Sequence, residues 1–251
     1  MGRLILHASA VALTAVMLSL RLVPVMPAAA GEPLTVVELF TSQGCPRCPP
    51  ADALLRELAD EPGVLALSVH VDYWDYLGWQ DPFATAEGTR RQRAYADRFD
   101  LPYVYTPQMV IQGVTHLPGT DASTVRHRIS EAPRADRVSV TLNRRDPDDL
   151  SINLSDGPGR NPDGGADVWL VVFDRERSTE VQSGHNAGSR LRHVNVVTEL
   201  RRLDTWDGGN HHLTVPLPVA DGNTGATTVA VMVQARETGQ IMGATTLSIA
   251  P

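Results

Sequence analysis

The chain has 251 residues, 42% of them hydrophobic and 20% charged, with two cysteines and a formal charge of −7. That length supports one large domain or two ordinary ones around a sizeable core. The acidic balance argues against nucleic acid and anionic lipid surfaces as partners.

Arg3, the apolar run from about Ala8 to Leu20 and the triplet Ala28-Ala29-Ala30 read as the three regions of an export signal peptide, residues 1–30. The run is shorter than the roughly 20 apolar residues of a membrane span, and no later segment is apolar enough for one. The expectation is a periplasmic or secreted protein with no membrane span after signal cleavage. Arg3 and Arg21 leave with the signal, so of 22 basic residues 20 remain against 29 acidic ones, a formal −9. Outside the cytoplasm disulfides persist.

The mature chain opens with a buried strand, Leu34 to Phe40, rich in β-branched residues. The two cysteines follow it in Gly44-Cys45-Pro46-Arg47-Cys48. From Pro49 the period changes: Ala51, Leu54, Leu55 and Leu58 share a helical face, prolines stand where a missing N–H costs nothing, and Glu61-Pro62-Gly63 ends the run. A second apolar strand, Val64 to Val71, is reached through a helix of the length a parallel crossover needs. An aromatic loop, Asp72 to Phe83, leads to a helix around Thr85 to Phe99. Strands at Gln108 to Ile111 and near Val114 to Leu117 and a helix carrying Ala122, Val125 and Ile129 complete the first half.

Composition then shifts to short alternating runs, among them Asp167 to Phe173, Thr227 to Ala235 and Ala244 to Ile249, separated by Gly, Pro, Asn and Asp. That is the pattern of an antiparallel sandwich. Asn195 to Leu203 reads as a further strand. The expected fold class is an α/β thioredoxin-like domain, residues 33–132, followed by an all-β sandwich-like domain, residues 135–250.

Three readings of Cys45 and Cys48 compete. As a redox pair at a helix start, the helix dipole and free backbone N–H groups would stabilise a Cys45 thiolate, with Arg47 lowering its pKa further, and Cys48 would resolve the mixed disulfide. As a staple, a four-residue loop supplies only about 2 kcal/mol, against nearly 5 for a loop of about 100 residues. As a copper or zinc site, the pair needs further ligands, with His70 or His116 the candidates but at no diagnostic spacing. The redox reading requires no cofactor beyond the disulfide itself.

A C-x-x-C opening a helix after a buried strand, followed by a Thr-Pro that introduces another strand, resembles the thioredoxin fold. That resemblance implies a cis bond at Thr106-Pro107, with Pro107 against the dithiol and the Thr106 backbone pairing with an extended substrate. The longer motifs VELFTSQGCPRCPPADALL, LSVHVDYWDYLGWQDPF, RQRAYA, VYTPQMVIQG and HVNVVTELRRL together resemble a secreted bacterial thioredoxin-like family, domain of unknown function 1223. It implies a fold and a dithiol, and no substrate. One departure is Gly184-His185-Asn186, where the family carries Gly-Glu-Asn.

Trp74 and Tyr73, at the carboxyl end of a parallel strand, are candidates for substrate binding, or simply for packing. Asp72 is a candidate proton shuttle to Cys48. Glu38, a carboxylate inside an apolar strand, is either a buried proton acceptor or the partner of an arginine. His185, His193, His211 and His212 could suggest a metal site, but the adjacent His211-His212 beside Gly208-Gly209 reads rather as a surface turn.

The expectation is an exported thiol–disulfide oxidoreductase with Cys45, Cys48 and Pro107 as its catalytic set. Its partners would be an extracytoplasmic thiol or disulfide substrate and an unidentified redox partner. The alternative is a non-catalytic protein that binds copper or zinc through Cys45, Cys48 and His70, or docks a partner.

Overall fold

The computed structural model describes residues 33–133, 138–157, 163–218 and 227–249. The signal expected at residues 1–30 and most of the expected domain boundary therefore lie outside the described residues.

Strand β1 (Thr35–Thr41) is buried at all seven positions, which its unbroken apolar run requires of a strand covered on both faces. Helix α1 (Pro49–Ala59) starts on two prolines and buries Ala51, Leu54, Leu55 and Leu58. It returns the chain to β2 (Val64–His70), which lies parallel to β1 from Thr35 opposite Val64 to Thr41 opposite His70. Helix α2 (Ala86–Arg98) is capped by the Thr85 side chain, which accepts from the Gly88 N–H. Strand β3 (Gln108–Ile111) runs antiparallel to β1, and β4 (Thr115–Pro118) antiparallel to β3. Helix α3 (Ala122–Ser130) is capped by Asp121, which accepts from the N–H groups of Ser123 and Thr124.

Seven strands follow. They are β5 (Ser139–Asp146), β6 (Asp149–Ser155), β7 (Ala166–Glu180), β8 (Arg190–Trp206), β9 (His211–Pro216), β10 (Thr227–Ala235) and β11 (Ile241–Ser248). Strands β7 and β8 form a hairpin of 15 and 17 residues that bulges twice.

The expected fold class does not hold. Among the described residues the chain is mostly β, with three α-helices, and its main sheet has eight strands of mixed direction in the order β11-β10-β7-β8-β2-β1-β3-β4. An α/β thioredoxin-like domain followed by a separate sandwich is replaced by one sheet that runs through both. The join is β8 on β2, parallel, with Val196 opposite Ser68. Asn195, at φ 47°, donates its amide N–H to the Ala66 carbonyl at 2.8 Å and bends β8 into that register. An unpaired β2 edge would leave a row of backbone donors and acceptors unsatisfied, and β8 removes that cost.

Helix α2 lies on one face of the large sheet, over Val36, Phe40 and Leu67, and the same apolar layer runs on through Phe173 and Met232. The other face is covered in two parts. Helices α1 and α3 pack on Val37, Leu39, Ala66 and Met109. The small sheet β5-β6-β9 packs through Leu150, Ile152 and Leu154 on Val168, Leu170, Val229 and Val231.

Glu38, in the middle of β1, faces the α2 side and is 1% exposed. Arg91 of α2 pairs with it bidentately, and the Tyr95 hydroxyl donates to its Oε2 at 2.6 Å. Gln234 of β10 joins through Tyr95 at 3.1 Å and Arg91 at 3.3 Å. Burial opposes the Arg91 charge, but the Glu38 carboxylate overcomes this and holds its pKa above the ordinary value. Burial pushes the Tyr95 hydroxyl pKa upward.

Removing one partner of such a pair strands a buried charge, at a cost of about 3–5 kcal/mol, whereas replacing both is far cheaper. Arg91→Met is therefore expected to lower the guanidinium unfolding midpoint sharply, and Glu38→Leu/Arg91→Met to recover most of the loss. A double variant no more stable than the single one would contradict this account.

Candidate functional site

After β1 the chain turns at Ser42–Cys45, with the Cys45 N–H donating to the Ser42 carbonyl at 3.1 Å, and Cys48 becomes the N-cap of α1. The two cysteines form a disulfide with Cα atoms 5.5 Å apart. Pro49 and Pro50 have no N–H, and those of Ala51 and Asp52 are spent on the Cys48 carbonyl at 2.9 and 3.0 Å. The free helix-start donors expected from the sequence are therefore largely missing, which leaves the dipole and the exposed Arg47 as sources of positive potential.

Three further segments converge on this turn. Trp74 lies against Gly44, where an added Cβ would come within 3.1 Å of the Trp74 Cβ, and its indole N–H donates to the Thr106 hydroxyl at 2.8 Å. Thr106–Pro107 is a cis peptide, and Trp74 thus bridges the cysteine turn and the Thr106–Pro107 edge. The Trp79 indole donates to Gln43 Oε1 at 3.0 Å. The Asp81 carboxylate accepts from the Gln43 N–H at 2.8 Å and pairs with His70 Nδ1 at 2.6 Å.

The third segment is the tip of the β7–β8 hairpin, Val181 to Ser189. The Asn186 amide donates to the Gln43 carbonyl at 2.8 Å and to the Cys45 carbonyl at 3.0 Å. The Ser183 hydroxyl donates to the Gly78 carbonyl, and the His185 ring stands edge-on to Trp74. Gly184, at φ +78°, lies where a Cβ would approach the Trp79 Cβ at 3.2 Å. Under this cover Cys45 is 1% exposed and Cys48 0%, so the pair is closed to solvent in this conformation.

The remaining expected residues divide. Tyr73 is half-buried, and burial pushes its hydroxyl up to about 12 despite Gln92 and Thr106 nearby. Asp72 turns toward α2, where its carboxylate accepts from the Thr89 hydroxyl at 2.7 Å. Glu38 faces α2 as well, on the side of the sheet opposite α1, and is engaged by Arg91 and Tyr95. Of the two readings of Glu38, the arginine partner is the one present.

His70 is 1% exposed, with its ring edge-on to the buried His193 at 4.5 Å between centroids. His193 is itself 2% exposed, and its Nδ1 stands 3.6 Å from Asp52 Oδ1. Asp52 and His193 also line a cavity of about 260 Å³ beside Pro49, where Arg56, Arg190 and Arg192 face the same space. Among the described residues no group of three or more His, Cys, Asp or Glu is arranged to hold a metal ion.

Sequence reasoning missed Asp81, Asn186 and Gln43, whereas Trp79 lay in the aromatic loop that it singled out. A Gly-His-Asn turn between two long strands was the one signal for Asn186. The partners that tie Asp81 to the site, His70 and Gln43, lie 11 and 38 residues away, so nothing in the local sequence points to them.

A family model described as "Protein of unknown function (DUF1223)" matches residues 36–234. The crystal structure of protein AGR_C_4864 from Agrobacterium tumefaciens is 32% identical, covers 87% of this chain and 96% of its own, and superimposes with a TM-score of 0.71. HBP35 of Porphyromonas gingivalis is alike in fold alone, at 16% identity and a TM-score of 0.53 over 87% of this chain and 76% of its own. No curated protein matches the chain.

Burial alone would raise the Asp81 pKa, but the charge and hydrogen bond of His70 and the N–H groups of Gln43 and Phe83 hold it below the ordinary 3.8. A depressed carboxylate contributes stability that is present above its unfolded value and lost as pH falls through the folded one. The stability advantage of wild type over Asp81→Asn, from urea titrations, is therefore expected to shrink as pH falls below about 4. A difference that grows on acidification would contradict the assignment.

Proposed function

The chain belongs to the DUF1223 family, and from that premise we propose that it is an exported thiol–disulfide oxidoreductase that works through Cys45 and Cys48. Its substrate is an extracytoplasmic protein or small thiol. The observation that carries the reading is a disulfide across a four-residue segment at the N-cap of α1, with the Thr106–Pro107 edge one tryptophan away.

The stabilising role is too small to account for the pair. A four-residue loop contributes about 2 kcal/mol in the chain-entropy model, and the Ser42 turn and α1 already hold both backbones.

In the proposed cycle a substrate thiolate attacks Cys45 Sγ, breaks the Cys45–Cys48 bond and releases Cys48 as a thiolate, which takes up a proton. A second substrate thiolate then attacks the substrate sulfur of the mixed disulfide and releases Cys45. Two electrons pass to the protein, and the substrate leaves as a disulfide. The same steps run in reverse when the protein is the reductant.

Both sulfurs are covered, so the hairpin tip must lift before a substrate enters. Losing the two Asn186 hydrogen bonds removes roughly 1–3 kcal/mol from the closed state. Asn186→Ala is therefore expected to be reduced by a small thiol about tenfold faster than wild type, read by thiol release under pseudo-first-order conditions. An unchanged rate would show that the tip does not limit access.

The attacking residue is tested by trapping. Cys48→Ser is expected to accumulate a mixed disulfide through Cys45 that mass spectrometry detects, and Cys45→Ser to accumulate none. Exchange activity that survives Cys45→Ser/Cys48→Ser would sink the proposal.

A further inference from the structure

Helix α2 covers only part of its face of the large sheet. Between it and strands β7, β8 and β10 lies a cavity of about 620 Å³, far from both cysteines in the chain and within the range of small-molecule sites. Its lining carries Arg90, Arg91, Arg98, Arg201, Arg202 and Arg236 against Glu87 and Asp167, in a chain whose formal charge is −7.

These arginines are not equally committed. Arg91 is neutralised by Glu38 at the floor. Arg90, Arg201 and Arg202 pair with Glu87, Glu199 and Asp167 through side chains 64%, 44% and 56% exposed, and such surface pairs yield readily to a competing anion. The Arg98 guanidinium is held only by the backbone carbonyls of Glu237 and Arg236, at 2.7 and 3.1 Å, and has no carboxylate partner among the described residues. It presents an unneutralised charge that two carbonyls have already oriented.

The wall is apolar and flat. Trp169 lies under the Arg91 guanidinium at 5.0 Å, with Leu200, Ala94 and Ala235 beside it. Among the described residues the buried Trp169 indole N–H has no hydrogen-bond partner.

We propose that this cavity binds an organic anion with a flat apolar body. The body lies on Trp169 and Leu200, and its carboxylate, sulfonate or phosphate meets Arg98 and the exposed arginines of the rim. Stacking with apolar burial then acts on one end of the ligand and charge-assisted hydrogen bonds on the other. The site is independent of the dithiol and stands whatever chemistry Cys45 and Cys48 perform.

The test uses two fluorescent probes on the purified protein, 1-anilinonaphthalene-8-sulfonate and the uncharged N-phenyl-1-naphthylamine. The sulfonate is expected to bind saturably at one per chain, with energy transfer from Trp169. Arg98→Gln/Arg201→Gln is expected to weaken it about tenfold while the neutral probe changes less than about twofold. Arg90→Gln/Arg201→Gln, both exposed and outside the core, gives the same readout should Arg98 be needed for folding. Equal effects on both probes, no effect on either, or binding of several sulfonates per chain would overturn the proposal.

Discussion

A carboxylate in the middle of a strand covered on both faces must be paired, or the strand cannot be buried. Glu38 imposes that condition, and α2 meets it with Arg91 and Tyr95, one turn apart on the same helix face. The position of α2 on the sheet follows. So does the space it leaves uncovered, because a helix held over β1 cannot also roof β7 and β10. The same helix packs its first turn on the end of β2, where the Thr85 N–H donates to the His70 carbonyl at 3.3 Å. One buried ion pair thus sets both the arginine-lined cavity and the seat of the loop beside the cysteines.

That loop is held at a second place. Asp81 joins the end of β2 through His70 and the cysteine turn through Gln43, so the aromatic residues around it have little freedom to move separately. Trp74 and Trp79 then read as fittings on a fixed frame, one against the Thr106 hydroxyl and one against the Gln43 amide.

What the sequence made legible was local. Strand β3 is found at Gln108–Ile111, as its pattern predicts, and the helical period after Pro49 marks α1 because both signals lie within a few residues. The expected division into two folds failed for the opposite reason. It turned on whether β8 meets β2, and that contact rests on Asn195 and a register 128 residues apart, which no run of apolar residues announces. Glu38 stood out as unusual, yet its arginine was 53 positions away. The burial of His193 comes from His70 and Phe83 of other segments, which its own neighbours in sequence do not announce.

The cover over the cysteines is fastened to the main chain. Asn186 bonds the carbonyl oxygens of Gln43 and Cys45 and takes no account of the side chains between Cys45 and Cys48. Pro46 and Arg47 are therefore free to vary, by drift or by design, without loosening the latch. The dipeptide that most directly tunes such a pair and the device that shields it are separately heritable, so one can be altered while the other is held constant.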